Sequence, residues 1–473
     1  MVSEKKLREL FEGCEDVLFK KHGSLLLVYA QGLCDTRLMS QLLLPSFASG
    51  DASLFRHAVE GGIVFEPYEQ SPCDQTLIND LFSGKLLVYL EKEDCLYGAD
   101  LSNPPQRSTE ESPTESSNTG PRDSFTESIT TNLALVRKRL RTNTFRQEPF
   151  LLGKRTQTRV SLLYMSDITS NAILDEIRAR LREIDIDAIY SAEQLKRLLS
   201  PKLYTLGPTL GVTTRPDMVL ESLLAGRFAL MMDGIPVAIT GPVTLSYLLM
   251  TAEDVHTSSH HVAFVSLIRL TALFITLFLP GFWISLTTFH QDQIPFPLLA
   301  TVSVASDGTP FNEPMELILV LLMFQLFIEA GNRLPSSIGS MLSVVGGLII
   351  GDAAIRAGIT SPATLLVAGV SSTSSFVLMP NALGVGTIWI RLFVLIVSSF
   401  FGLFGFLVSV FLILLYVSTI RTFGVPFLAP LSPFRLPDAF YSLFYWPWKK
   451  RQTRPKYLNV KDKDKQPRGG ESG

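Results

Sequence analysis

The sequence predicts an α/β cytoplasmic headpiece of two small subdomains joined to an all-α, multi-span membrane domain. Residues 262–421 form an apolar block that opens VAFVSLIRLTALFITLFLPGFWISLTTF and closes IWIRLFVLIVSSFFGLFGFLVSVFLILLYVSTIR. Runs of roughly 18 or more apolar residues mark bilayer-spanning helices. Before that block, short strand-like runs alternate with amphipathic helical patterns. The 473-residue chain is 47% apolar and 18% charged, against roughly 25% charged for soluble domains. Its mean hydropathy of +0.27 averages a greasy half with an ordinary one.

The boundaries this implies are 1–102 for an N-terminal α/β subdomain, 103–124 for a polar linker and 125–250 for a second α/β subdomain. A helical transmembrane domain of four to six spans follows at 251–425, then a basic tail at 426–473. MVSEKKLREL has charge but no apolar core or cleavage site, so it is not a secretory signal and the headpiece is expected to stay in the cytoplasm. A net charge of −2 gives no reason to expect nucleic acid.

In the first subdomain, SLLLVYA (24–30) and KLLVYLE (85–91) read as buried strands. LRELFEGCEDVLF places apolar residues at 7, 10, 11, 14, 17 and 18, a helical face. The stretch NPPQRSTEESPTESSNTGPRD cannot build a core and reads as linker. FTESITTNLALVRKRLR has hydroxyls for an N-cap at 126–130, an apolar face at Leu133, Val136 and Leu140, and cations at the negative end of the helix dipole. TRVSLLYM is a strand and NAILDEIRARLREI a helix, while RFALMMDGIPVAIT is a hairpin turning on Asp233-Gly234 as two positive-φ residues. The β/α alternation predicts a mixed or parallel sheet. No dinucleotide or P-loop fingerprint opens a helix.

Five apolar segments follow, at about 262–289, 315–331, 337–355, 362–380 and 388–420. The loop from 290 to 314 contains Asp292, Asp307 and Glu313 but no Lys or Arg, as an external loop should. Five crossings would place the basic tail outside, and splitting 388–420 gives halves of about 16 residues, short against the ~20 of a span. Four crossings are therefore expected, with the small, hydroxylated segment 362–380 re-entrant. Its stripe of Val367, Val370, Ser371, Ser374 and Leu378 has two readings, close helix packing or the wall of a pore in an oligomer.

Charge in hydrocarbon is costly. The candidates are Arg269, Glu316, Glu329 and Asp352. Glu329 with Arg333 and Asp352 with Arg356 are four apart and read as local pairs, and Arg391 reads as snorkelling. Arg269 lies deeper, and it alone is costly enough to point to a buried partner or a gating role. Cys14, Cys34, Cys73 and Cys95 show no CxxC spacing and read as buried free thiols in a reducing compartment. His256, His260 and His261 beside Glu253 and Asp254 could hold a metal, but a solvated helix start is the reading adopted. No catalytic constellation, metal or cofactor is expected.

Four motifs then stand in a telling order: GPRDSFTESITTNLALVRKRLR, TTRPDMVLESLLAGRFALMMDGIPVAIT, LFLPGFWISLTTFHQDQIPFPLL and RTFGVPFLAPLSPF. In that order they resemble the A subunits of spore germinant receptors, the GerA family. The resemblance is clear over 120–434 and weak before it. It departs at Ser124, where glycine is expected after GPRD, and at Gly241-Pro242, where a single proline is usual. It implies a subunit integral to the spore inner membrane, with headpiece and tail on the spore-core side. It further implies a permease-like B subunit and a lipoprotein C subunit as partners, and a homo-oligomer that conducts ions when nutrient is sensed. That strengthens the pore reading of 362–380. The competing functions are a non-conducting scaffold or signal transducer of the same complex, and a secondary transporter, for which no internal repeat is evident.

Overall fold

The computed structural model describes residues 3–22, 25–40, 64–68, 72–91, 94–103, 115, 120–200, 207–306, 308–333, 351–378, 383–432 and 452–465. The first unit contains α1 (Glu4–Leu10), β1 (Val17–His22), β2 (Leu25–Ala30), β3 (Phe65–Pro67), α2 (Asp74–Ser83), β4 (Lys85–Leu90) and β5 (Cys95–Asp100). Its five strands lie in the order β1-β2-β4-β5-β3. Side chains alternate between the faces of a strand. Leu26, Val28 and Ala30 therefore meet Leu77 and Leu81 of α2, whereas Leu25, Leu27 and Tyr29 meet Leu86 and Val88 on the other face. The helical face expected over 7–18 stops early, because α1 ends at Leu10 with Phe11 as its cap, a turn with Gly13 at φ 73° follows, and Val17 and Leu18 enter β1.

The second unit contains α3 (Ile129–Arg139), β6 (Phe145–Leu152), β7 (Thr158–Met165), α4 (Asn171–Glu183), α5 (Ala192–Leu199), β8 (Gly211–Thr213), α6 (Pro216–Leu224), β9 (Phe228–Met232) and β10 (Ala238–Gly241). Its strand order is β6-β7-β9-β10-β8. Every pairing in both sheets is antiparallel, which corrects the expected mixed or parallel sheet. The reason is that β1–β2, β4–β5, β6–β7 and β9–β10 are hairpins, with connections too short for a crossover. Three of these hairpins carry a strand pattern in only one of their two strands, which makes the sequence look like β-α-β. At the β9–β10 tip Gly234 alone has a positive φ, of 82°. Asp233 instead accepts from the Ile129 N–H at 3.1 Å, capping α3.

Helix α3 joins the units. Arg137 is 2% exposed, and its Nε and Nη2 donate to the two oxygens of Asp16 at 2.6 and 2.5 Å. The rings of Phe82 and Phe145 lie 4.2 and 4.4 Å from its guanidinium. Breaking such a buried pair costs about 3–5 kcal/mol, because one charge is left unpaired. Cys14 and Cys34 are buried, but Cys73, which precedes α2, and Cys95, at the start of β5, are exposed. Burial pushes the Cys34 thiol up to about 12.

The C-terminal half is helical. After α7 (Leu245–Leu248) and a 3₁₀ turn at Ala252–Val255 comes α8 (Ser259–Ile284), which runs on through a π turn at Ser285–Phe289. Then follow α9 (Phe296–Ser306), α10 (Glu313–Arg333), a helical stretch at 351–356, α11 (Pro362–Val377) and α12 (Leu383–Thr419). Among the described residues, Ser259–Phe289, Glu313–Gly331 and Gly386–Thr419 are long and apolar enough to cross a membrane. Most of the segment expected at 337–355 lies outside the described residues.

Helix α12 breaks at Gly402, with φ 58° and ψ −141°. Gly281 of α8 packs on Val394 and Ser398 before the break, whereas the Phe282 ring meets that of Phe406 after it, tilted and 5.4 Å between centroids. A Cβ on Gly405 would stand 2.6 Å from the Val397 carbonyl oxygen, so the two limbs run back along each other. Ile420 then returns to a core shared with Val243, Tyr247 and Leu378 beside the headpiece. Segment 388–420 is thus a helical hairpin and not one crossing. Helix α11 reaches from Ser361 beside the start of α10 to Leu378 in that junction core, and at 16 residues it is shorter than the three candidate spans.

After α12, Arg421–Thr422 (β11) and Val425–Pro426 (β12) form a small ribbon. The segment expected to trail as a basic tail is partly a strap: Leu458 and Val460 enter the second unit's core, and Lys461 N donates to Ile168 O. Lys449, Lys450, Arg451 and Arg468 lie outside the described residues. Of the expected linker, Glu115 docks on Thr213 and Thr214, while 104–114 and 116–119 lie outside the described residues.

Candidate functional site at the headpiece–membrane junction

The charge that demanded a partner has one. Arg269, near the headpiece end of α8, donates through Nη1 and Nη2 to the two oxygens of Asp254 at 2.6 and 3.0 Å. The same nitrogens reach the Leu249 carbonyl at 3.0 Å and the Thr251 hydroxyl at 3.1 Å. Asp254 is held in place because it closes a capping box, accepting from the Thr251 N–H at 2.9 Å. Its side chain is 5% exposed.

One residue earlier, Glu253 accepts from Arg215 Nη1 at 3.1 Å. Arg215 precedes α6 and grips Asp217 with two further bonds, at 3.1 and 2.6 Å. His256 Nε2 lies 2.9 Å from Asp217 Oδ2. Burial alone would lower the Arg215 pKa, but the Asp217 and Glu253 carboxylates hold it above the usual range. Asp217 also accepts from the Met218 N–H in the first turn of α6, where the helix dipole favours an anion. A chain of paired charges thus runs from α6, through the 3₁₀ turn, to the first long apolar helix. His256, Glu253 and Asp254 serve this network, while His260 and His261 stand at the start of α8.

Three of the quoted sequence motifs meet here. A Cβ on Gly120 would stand 2.5 Å from His256 and 2.6 Å from Arg215, so the GPRD stretch lies directly over the network. Its Asp123 pairs with Arg139 of α3. The TTRPD stretch supplies Arg215 and Asp217. From RTFGVPF, the Phe427 carbonyl accepts from the Leu245 N–H at 2.8 Å. Tyr247 ties the layers together, its hydroxyl 2.8 Å from Ser222 Oγ and 2.9 Å from Thr240 Oγ1.

A model of the Bacillus/Clostridium GerA spore germination protein family matches residues 5–457, nearly the whole chain. The chain belongs to the GerA family. It is 38% identical to "Spore germination protein XA" of Bacillus anthracis, over 98% of this chain and 97% of that one. It is 30% identical to "Spore germination protein KA" of Bacillus subtilis (strain 168), over 97% of this chain and 84% of that one. Among solved structures, the N-terminal domain of the A subunit of the Bacillus megaterium spore germinant receptor GerK3 covers 50% of this chain and 92% of that one, at 27% identity and a TM-score of 0.37. This GerA-family chain is a germinant-receptor A-subunit-like spore germination protein, and its long apolar helices associate it with a membrane.

The other sequence candidates separate. Glu329 and Asp352 are exposed and bonded to Arg333 and Arg356 one turn away. Glu316 is 1% exposed and, among the described residues, has no such pair. Arg391, expected to snorkel, is buried at 8% exposure, because it shares the packed face of α12 with Thr387, Val394 and Ser398. The α11 stripe divides. Val367, Ser371 and Leu378 are buried inside the protomer, and Ser371 Oγ bonds the Thr276 carbonyl. Val370 and Ser374 instead line an open groove of about 600 Å³ with Leu366, Thr373, Val377 and Phe324 of α10.

Proposed function

We propose that this GerA-family chain is the A subunit of a nutrient germinant receptor in the spore inner membrane. In this reading it works with a permease-like B subunit and a lipoprotein C subunit, and oligomerises into a ligand-gated, ion-conducting channel. The observation that carries the reading is the two-sided character of α11. One face, through Ser371, is fastened to α8, and the other is open, a mainly apolar surface of Leu366, Val370 and Val377 on which Thr373 and Ser374 place hydroxyls. Hydroxyls on an otherwise apolar open face suit contact with another helix, as at the axis of an oligomer. Headpiece and tail face the spore core, since the bundle starts and ends at the junction and the loop at its far end carries no Lys or Arg. The Arg215–Glu253 and Asp254–Arg269 pairs would carry a conformational change from headpiece to α8.

Ion flux from liposomes holding the reconstituted receptor, and dipicolinate or cation release from spores, test this. Val370→Phe or Ser374→Phe should block or deregulate release while leaving receptor abundance unchanged. Unaltered release in both variants would remove α11 from the pore. Absence of flux under every gating condition would favour the alternative, a non-conducting scaffold and signal transducer, to which the junction network is equally suited.

A further inference from the structure

The start of α11 holds a buried carboxylate that helix packing does not account for. Glu316 is 1% exposed. Its Oε1 accepts from the Thr360 hydroxyl at 2.8 Å and from the Ser361 N–H, the orphan donor at the N-cap of α11. Its Oε2 is also buried, and no described residue donates to it. No described Lys, Arg or His forms an ion pair with Glu316, and the 290–314 loop beside it has no Lys or Arg. The helix dipole supplies about half a unit of positive charge. The other half is uncompensated, and buried charges in proteins are paired or bind ions.

Neutral oxygens cluster at this helix start. Thr360 Oγ1 is 3.4 Å from the Ser361 carbonyl, and Ser361 Oγ is 3.0 Å from Thr364 Oγ1. All three hydroxyl residues are buried, at 2%, 3% and 2% exposure. The cluster therefore offers one carboxylate oxygen without a donor and several neutral hydroxyl and carbonyl oxygens. Divalent cations select sites with more carboxylates; a single negative charge among neutral oxygens matches one monovalent cation.

The geometry points to a monovalent-cation site at Glu316, completed by oxygens of Thr360, Ser361 and Thr364, which fastens the start of α10 to the start of α11. The ion would neutralise the buried carboxylate and lock the two helices at the end of the bundle farthest from the headpiece. The site lies within one protomer and is read through stability, so it stands or falls separately from conduction by an assembly.

The test uses the purified full-length chain in detergent, with unfolding followed at constant ionic strength and pH. Potassium or sodium chloride is exchanged stepwise for N-methylglucamine chloride. The thermal midpoint should rise saturably with K⁺ or Na⁺ in the wild type. The rise should vanish in Glu316→Gln and weaken in Thr360→Val. A wild-type midpoint indifferent to the cation overturns the site and leaves a bonded water as the account of Oε2. A midpoint that follows pH but not the cation, with that dependence lost in Glu316→Gln, overturns it in favour of a protonated carboxyl. A cation effect that survives in Glu316→Gln places the ion elsewhere. Should Glu316→Gln fail to fold, Thr360→Val decides: an unweakened cation response there overturns the site, and a weakened one supports it.

Discussion

Glu253 and Asp254 are consecutive, yet their carboxylates turn to different domains: Glu253 to Arg215 before α6, Asp254 to Arg269 on α8. The 3₁₀ turn makes this possible, since successive side chains point apart around a helix while Asp254 is fixed by its bond from the Thr251 N–H. The turn therefore acts as a coupler. A movement of α6 that displaces Arg215 pulls on the same short segment that positions Arg269.

Asp254→Asn should destabilise the receptor by about 3–5 kcal/mol, because Arg269 would keep its charge in a buried site without a counter-ion. Glu253→Gln should cost about 1 kcal/mol, since its side chain is a quarter exposed. The double variant Asp254→Leu/Arg269→Met should lose less than Asp254→Asn alone. Thermal midpoints in detergent measure all three. Equal losses for Asp254→Asn and Glu253→Gln would show that the network is not buried as described.

Gly402 gives a second prediction. At φ 58° and ψ −141° a side chain is strained, and a Cβ would lie 2.9 Å from Phe289 Cβ. Gly402→Ala should lower the yield of monodisperse protein and its midpoint. Gly369→Ala in α11 is the control, since a Cβ there meets nothing within 4 Å. Helix propensity makes that change neutral to stabilising by up to about 1 kcal/mol.

Much of the architecture was legible in the sequence, and the misses have physical causes. The apolar block, the strands at β2, β4 and β7, and the helix at α3 each follow from period and composition. β6 escaped because it is an edge strand, where Glu148 and Pro149 are tolerated. The α12 hairpin escaped because a turn among apolar residues needs only a glycine, with no polar signal at Gly402. The need of Arg269 for a partner was visible, but Asp254 was not identifiable, since the turn that presents it has no period to read. The α11 stripe straddled two faces because its residues span the border between packed and open sides, and only packing against Thr276 distinguishes Ser371 from Val370.

Acid stability should depend on Glu148. Burial raises its pKa, but the Arg178 guanidinium and the Tyr164 hydroxyl, which donate to it, outweigh burial and hold it below the ordinary value. The folded state thus binds the proton less readily than the unfolded chain, whose glutamates titrate at about 4.3. The stabilisation is fully present above that value and is lost as pH falls through the lowered folded one. Glu148→Gln should lower the midpoint near neutrality, and the gap to wild type should close as pH falls below about 4. A gap that stays constant with pH would show that packing, and not the charge, is what Glu148 supplies.

The strap at 452–465 yields the last prediction. Its Val460 sits where a side chain on Gly226 would be: a Cβ there would stand 2.3 Å from Val460 Cγ1. Gly226 also has φ 95°, so glycine is required twice over at the end of α6. Arg454 Nε bonds the Leu224 carbonyl at 3.0 Å, satisfying an orphan acceptor of that helix, and Lys465 pairs with Glu221. The strap therefore caps α6, the helix whose N-terminal end carries Asp217 of the junction network. Ending the full chain after residue 451 should expose Ile168 and Leu223 and lower the midpoint. Val460→Asp should reproduce most of that loss, because it places a charge against the buried Ile168 side chain. Lys463→Ala, on an exposed position of the same strap, should leave it unchanged. If the truncated chain keeps the wild-type midpoint, the strap does not stabilise α6, and its influence on the junction falls with it.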